Sequence, residues 1–112
     1  MRKTKLGEFE ELVLLTVASL QLDAYGVEIK RTLEERMKTK LSVGSIQSAL
    51  KRMEEKGFLT SEFGEPSEQR GGKRKRIYKT TNYAHRVLAE MREIRAELWS
   101  SISSTTFELK MA

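Results

Sequence analysis

Apolar side chains recur at helical spacing in four stretches of this chain, and two short strand-like runs separate the third stretch from the fourth. That order leaves few layer arrangements open, because each stripe must find a surface that buries it. In the first stretch, residues 6–21, Phe9, Leu12, Val13, Val17 and Leu20 form one stripe, which Leu14 and Leu15 widen. So wide an apolar surface exceeds what one internal contact needs and predicts burial on two sides, with a second subunit as one candidate cover.

The second stretch, about residues 24–38, repeats Tyr25, Ile29, Leu33 and Met37 every four residues as its expected buried face, and Asp23 suits its N-cap. Residues 39–41 form a short link. The third stretch, 43–56, has Ser42 as expected N-cap and Gly57 as its stop. Ile46, Ala49, Leu50 and Met53 fall at i, i+3, i+4, i+7 and point inward. The opposite face carries Gly44, Ser48, Lys51 and Glu55, flanked by Gln47 and Arg52. Its leading half is small, polar and cationic, and the acidic Glu54 and Glu55 wait until the last turn, so a helix entering a groove N-terminus first would offer phosphate the positive end of its dipole; an ordinary solvated face is the alternative.

Residues 59–65 and 73–80 are the strand-like runs, joined by 66–72 into an expected hairpin with Leu59, Phe63 and Tyr78 inward. The final helix starts at Thr80 or Thr81 and runs to about residue 101. Ala84, Val87, Met91, Ile94 and Leu98 follow nearly two heptads, widened by Leu88, Trp99 and Ile102. The first three helices already supply a core, so this long amphipathic helix needs another surface, and the economical one is the same helix and the first helix of a second copy. Residues 103–112 form a tail of mixed polarity.

The formal net charge of +5 resides in a single segment. Between residues 66 and 79, Arg70, Lys73, Arg74, Lys75, Arg76 and Lys79 face one acid, Glu68, whereas the rest of the chain is balanced. A cationic tip on a neutral body suits a polyanion, since each neutralised phosphate releases condensed counterions. The bland alternative is a solvated basic loop. Four consecutive basic residues, 73–76, repel one another unless they splay apart or meet phosphate.

At 112 residues the chain is one domain's length with room for one modest core. Without cysteine there is no disulfide, thiol catalysis or Cys-type zinc site. No apolar run approaches the ~20 residues of a membrane span and no signal-peptide pattern opens the chain, so a cytoplasmic protein is expected. The single histidine, His85, has no ligand cluster beside it, and Gly71-Gly72 reads as a turn pair and not a phosphate cradle. The expectation is therefore no enzyme, no catalytic residue, no metal and no cofactor.

Helix, helix, helix, hairpin, helix is the order of a winged helix-turn-helix with an added dimerisation helix, mainly α in class. Over roughly residues 6–99 the chain also resembles PadR-family transcriptional regulators of the short kind with one C-terminal helix. The resemblance is carried by Leu6-Gly7-Glu8-Phe9-Glu10 with Leu12-Val13-Leu14-Leu15, by Ala24-Tyr25-Gly26-Val27-Glu28-Ile29, and by Gly44-Ser45-Ile46. It continues through Leu50 to Met53, Gly57-Phe58-Leu59, and Gly71-Gly72-Lys73-Arg74-Lys75-Arg76 followed by Tyr78. Where the family usually has an aromatic that helps hold the DNA backbone, this chain has Gln47. Where the family often has Leu-Thr-Pro-x-Gly, this chain reads Thr80-Thr81-Asn82-Tyr83-Ala84, keeping a cap and losing the glycine. Trp99 matches a Leu-Trp pair common late in the family's last helix, whereas the pore-lining tryptophan of its multidrug-binding branch falls a turn earlier, near Arg95.

These readings divide the chain into a DNA-binding part, 1–80, and a dimerisation helix with tail, 81–112, within one compact unit. A homodimer is expected to meet a roughly palindromic operator as a repressor, and the resemblance implies a transport or stress operon. Ser45, Gln47, Ser48, Lys51 and Arg52 are expected at the major groove, and Arg70, Lys73, Arg74, Lys75 and Arg76 on the backbone or in the minor groove. The expected dimer interface comprises Phe9, Val13, Leu14, Val87, Met91, Ile94, Leu98, Trp99 and Ile102. A ligand-responsive alternative places a flat aromatic or cationic molecule among Leu14, Met91, Arg95 and Trp99 at the dimer centre. Low aromatic content counts against a third reading, an RNA-binding basic protein.

Overall fold

The structure, a computed structural model, describes residues 6–64 and 75–102. Its elements are α1 (Glu8–Leu20), a one-turn 3-10 helix (Gln21–Asp23), α2 (Gly26–Met37), α3 (Val43–Glu55), β1 (Leu59–Phe63), β2 (Arg76–Thr80) and α4 (Asn82–Ser100). The expected order of elements holds. The hairpin tip and the C-terminal tail lie outside the described residues.

α1 opens with three acidic residues in its first turn, which favour the positive end of the helix dipole. One of them, Glu10, reaches back to accept the Gly7 N–H at 3.0 Å, the return arm of a capping box. Val13, Leu14 and Val17 pack on Ile29 and Leu33 of α2 and on Ile46, Ala49, Leu50 and Met53 of α3 in one core.

α2 starts later than the sequence suggests, and Asp23 does not cap it. Tyr25 holds the N-cap position in an extended conformation, φ −93° and ψ 157°, with no side-chain cap. Pairing with the hairpin explains the delay: the Tyr78 N–H donates to the Ala24 carbonyl at 3.0 Å, and Tyr25 forms an antiparallel bridge with Ile77. Ala24 turns tightly, with the Tyr25 N–H donating to the Asp23 carbonyl at 2.9 Å, and Tyr25 is held extended until Gly26. Of the expected buried face, Ile29 and Leu33 are inside, Tyr25 is half-buried and Met37, at the last turn, is exposed.

α3 is bounded as expected. Ser42 Oγ accepts the Ser45 N–H at 3.0 Å. At the other end Gly57 takes φ +85°, the Gly57 N–H donates to the Glu54 carbonyl and the Phe58 N–H donates to the Met53 carbonyl. This Schellman pair needs a left-handed residue, which glycine supplies without strain. Phe58 then drops into the core and stacks on Tyr83 with ring centroids 5.0 Å apart.

β1 and β2 pair antiparallel from Leu59↔Thr80 to Phe63↔Arg76. Leu59 and Tyr78 are buried, but Phe63 is not. Phe63 shares the face of Leu59 by strand parity, yet it stands where the hairpin has already passed the end of the core. Arg76, directly opposite, stacks over the ring at 4.4 Å instead.

Thr81 joins hairpin to α4. Its Oγ1 accepts the Ala84 N–H at 3.1 Å and donates to the Gly57 carbonyl at 2.8 Å, so one hydroxyl caps α4 and fastens it to the end of α3. Ala84 and Val87 complete the core; beyond Met91 the helix leaves the body, with Ile94, Leu98 and Trp99 each more than half exposed.

Candidate nucleic-acid interface

α2 and α3, joined by a short turn, make a helix-turn-helix, and the hairpin is its wing. Gly44, Gln47, Ser48 and Lys51 are exposed on the outer face of α3, Arg52 is exposed on its flank, and Ser45 is half-buried with its hydroxyl donating to the Ser42 carbonyl at 2.9 Å. No acidic residue lies in the first turn, so the dipole's positive end is open on that side.

A groove of about 490 Å³ opens where three elements meet, lined by Tyr25, Gly26, Val27 and Glu28 of α2 and its approach, Gln47 of α3, and Lys75, Arg76 and Tyr78 of the wing. A Cβ on Gly26 would stand 2.9 Å from Gln47 Nε2, so a larger residue there would push the Gln47 side chain aside. The wing cations do not lie loose over this groove. Lys75 Nζ sits 4.1 Å above the Tyr25 ring. Arg76 Nη1 donates to Ser61 Oγ at 2.7 Å, and Ser61 donates to Glu54 Oε2 at 2.7 Å, which links the wing to α3. The two described members of the basic run thus take separate partners. Arg70, Lys73 and Arg74 lie outside the described residues.

Arg52 faces α1. Its Nε donates to Glu10 Oε2 at 2.8 Å, and Lys56 Nζ reaches Glu10 Oε1 at 3.0 Å. Burial alone would push the Glu10 carboxyl up, but hydrogen bonds from Arg52, the Gly7 N–H and Lys56 outweigh it and hold the group at about 2, against an ordinary 4.5. Glu11, also buried, takes the α4 guanidinium of Arg95 with both oxygens, at 2.7 and 2.8 Å. Neither carboxylate was expected at a site. Their signal was present: Glu10 lies three, four and seven residues before Val13, Leu14 and Val17, inside the buried stripe.

The outer face of α4 departs from expectation in part. Val13, Leu14 and Val87 expose at most 1% of their surface, because the protomer's own core encloses them, so they offer nothing to a second subunit. Phe9 and Met91 are half-buried, and Ile94, Leu98, Trp99 and Ile102 are open to solvent. Beside them runs a groove of about 600 Å³ lined by Glu11, Leu15, His85, Leu88, Ala89, Arg92, Arg95, Ala96 and Trp99. Of the four residues expected around a ligand, Arg95 and Trp99 line it; Leu14 is in the core and Leu15 takes its place, while Met91 is not among the lining residues. His85 Nε2 is 2.6 Å from Thr80 Oγ1. Among the described residues no group of three His, Cys, Asp or Glu side chains stands close enough to hold a metal, and no helix is long and apolar enough to cross a membrane.

The sequence profile of the transcriptional regulator PadR-like family matches residues 14–90. No curated protein matches the chain in sequence. Among solved structures, a PadR-like transcriptional regulator from Bacillus cereus is 23% identical, with 93% of this chain and 92% of that one covered and a TM-score of 0.67. A PadR family transcription regulator from Clostridium difficile is 28% identical, covering 92% and 98%, with a TM-score of 0.59. RosR of H. salinarum shares 21% identity over 98% and 92% of the two chains at a TM-score of 0.69, a likeness of fold. A profile that spans most of the chain, on a helix-turn-helix whose wing and α3 share one groove, places this protein in the PadR-like family: it is a DNA-binding transcriptional regulator and not an enzyme.

Proposed function

We propose that the protein acts as a homodimeric repressor, presenting two α3 helices and two wings to a roughly palindromic operator. The observation that carries this reading is the shared groove in which Gln47 of α3 meets Lys75 and Arg76 of the wing. Ser45, Gln47, Ser48 and Lys51 approach the major groove, while Lys75 and Arg76, with Arg70, Lys73 and Arg74, hold phosphate. Phosphate contacts fix register and base contacts read sequence. The outer face of α3 has no Asn and, besides Arg52, no Arg, so bidentate base readout is sparse and DNA shape contributes. Residues 1–80 form the DNA-binding part and 81–112 the dimerisation part, with Ile94, Leu98, Trp99 and Ile102 as its apolar seam. The regulated operon is one of transport or stress functions.

Binding to a labelled operator duplex, followed from low to high salt, tests the reading. Replacing the four basic residues 73–76 by Gln weakens binding to all duplexes alike and flattens the salt dependence by up to ~0.9 log units for each phosphate no longer neutralised. An unchanged slope removes the wing from the interface. Preference for single-stranded or duplex RNA over DNA in the same assay would favour the RNA-binding alternative.

The groove beside α4 supports a second reading, in which a flat aromatic or cationic molecule docks against Leu15, Arg95 and Trp99 and alters DNA affinity. Trp99 is the only tryptophan, so quenching of its emission reports occupancy directly.

A further inference from the structure

We propose that Glu10 is the positioning residue of the recognition helix, and that Arg52 serves as its tether instead of contacting DNA; this rests on the DNA-binding reading above. Glu10 has only 6% of its side chain exposed, and both of its oxygens are engaged. Oε1 accepts from the Gly7 N–H and from Lys56 Nζ, each at 3.0 Å, and Oε2 accepts from Arg52 Nε at 2.8 Å. Arg52 in the last turn of α3 and Lys56 at its C-cap are one turn apart on the side that faces α1.

The packed apolar side of α3 limits the helix's rotation but does not fix it to the tolerance of a hydrogen bond. Ile46, Ala49, Leu50 and Met53 are held by burial, which is non-directional. A roll of about 20° about the helix axis moves a side-chain tip by roughly 2 Å at the outer radius of a helix. That shift is enough to break a hydrogen bond to a base or phosphate while leaving the core apolar. Two directional, charge-assisted bonds from one buried carboxylate oppose such a roll. They therefore decide where Gln47, Ser48 and Lys51 point.

The next residue does the same for the neighbouring helix. Glu11 grips Arg95 of α4 with both oxygens, so consecutive carboxylates on the first turn of α1 orient the reading helix and the C-terminal helix against one frame. In a dimer joined through α4, that frame sets the separation of the two reading helices.

The test uses the full chain and a duplex that the wild-type protein selects from a random pool, compared with a scrambled duplex. Arg52→Gln and Glu10→Gln are made singly and together, and each is checked by thermal melting to be folded at the assay temperature. Each single change should lower affinity for the selected duplex by about threefold to thirtyfold, with the double no worse than the weaker single, as expected of partners in one network. Affinity for the scrambled duplex and the salt slope should stay at wild-type values, an outcome that loss of stability alone does not produce. If Arg52→Gln instead cuts the slope by about 0.9 and weakens both duplexes alike, Arg52 holds phosphate and the inference is wrong. Unchanged affinity in the single variants overturns it equally. Should Glu10→Gln unfold, Arg52→Gln decides alone, since its side chain is half-exposed and its removal leaves Glu10 with Gly7 and Lys56. A wild-type chain that selects no duplex at all ends the DNA-binding reading before any variant is made, and this inference with it.

Discussion

Lys75 Nζ lies 4.1 Å above the centre of the Tyr25 ring, so the first described residue after the wing's tip is seated on the residue that precedes α2. A cation over an aromatic face contributes about 0.5–1 kcal/mol at an exposed site. Tyr25→Leu keeps apolar bulk and removes that attraction. The wing should then detach more often, and hydrogen exchange at the Tyr78 amide, bonded to Ala24, should speed up by about twofold to fivefold. Identical exchange in the two proteins would show that the ring does not restrain the wing.

Ser42 supplies a side-chain acceptor at the start of α3, through its bond to the Ser45 N–H. Ser42→Ala should cost about 1 kcal/mol in urea unfolding, with an unchanged m-value. A change below about 0.3 kcal/mol would mean that solvent replaces the cap at this exposed position.

Leu98 and Trp99 are 64% and 60% exposed, so a charge at either site leaves the protomer's core untouched. Leu98→Glu and Trp99→Glu should therefore give folded monomers by sedimentation, with far-ultraviolet dichroism close to wild type. A stable dimer carrying either change would place the subunit contact elsewhere.

Glu10 predicts how stability responds to acid. Its folded-state carboxyl sits at about 2, below the ordinary 4.5, so its stabilisation is complete above about pH 4.5 and fades as pH falls toward 2. The size is roughly 1–2 kcal/mol once screening at the half-exposed Arg52 is allowed for. Wild type should exceed Glu10→Gln in stability at pH 6, and the gap should close by pH 2. A gap that persists at pH 2 would assign the difference to packing instead of charge.

Much of this architecture could be read from the chain because its determinants are local. Ser42 and Thr81 cap the helices they precede, and Gly57 stops the one it follows; each depends on the chemistry of residues two to four positions away. What the sequence hid depends on distant partners. Asp23 is a good cap by type, but the wing, some fifty residues onward, pairs with Ala24 and Tyr25 and delays α2. Parity put Phe63 on the inner face, but parity does not say where the core ends. Periodicity put Val13, Leu14 and Val87 on apolar stripes without saying whether the cover is the same chain or another. Glu10 and Glu11 find their cations in α3 and α4, at separations that no spacing rule reaches.

The hydrogen bond from Tyr78 to Ala24 gives the fold a late keystone. A ribosome that has released the three leading helices has not yet produced the strand that braces the entrance to α2. The nascent chain therefore lacks a braced entrance to α2 until β2 has emerged.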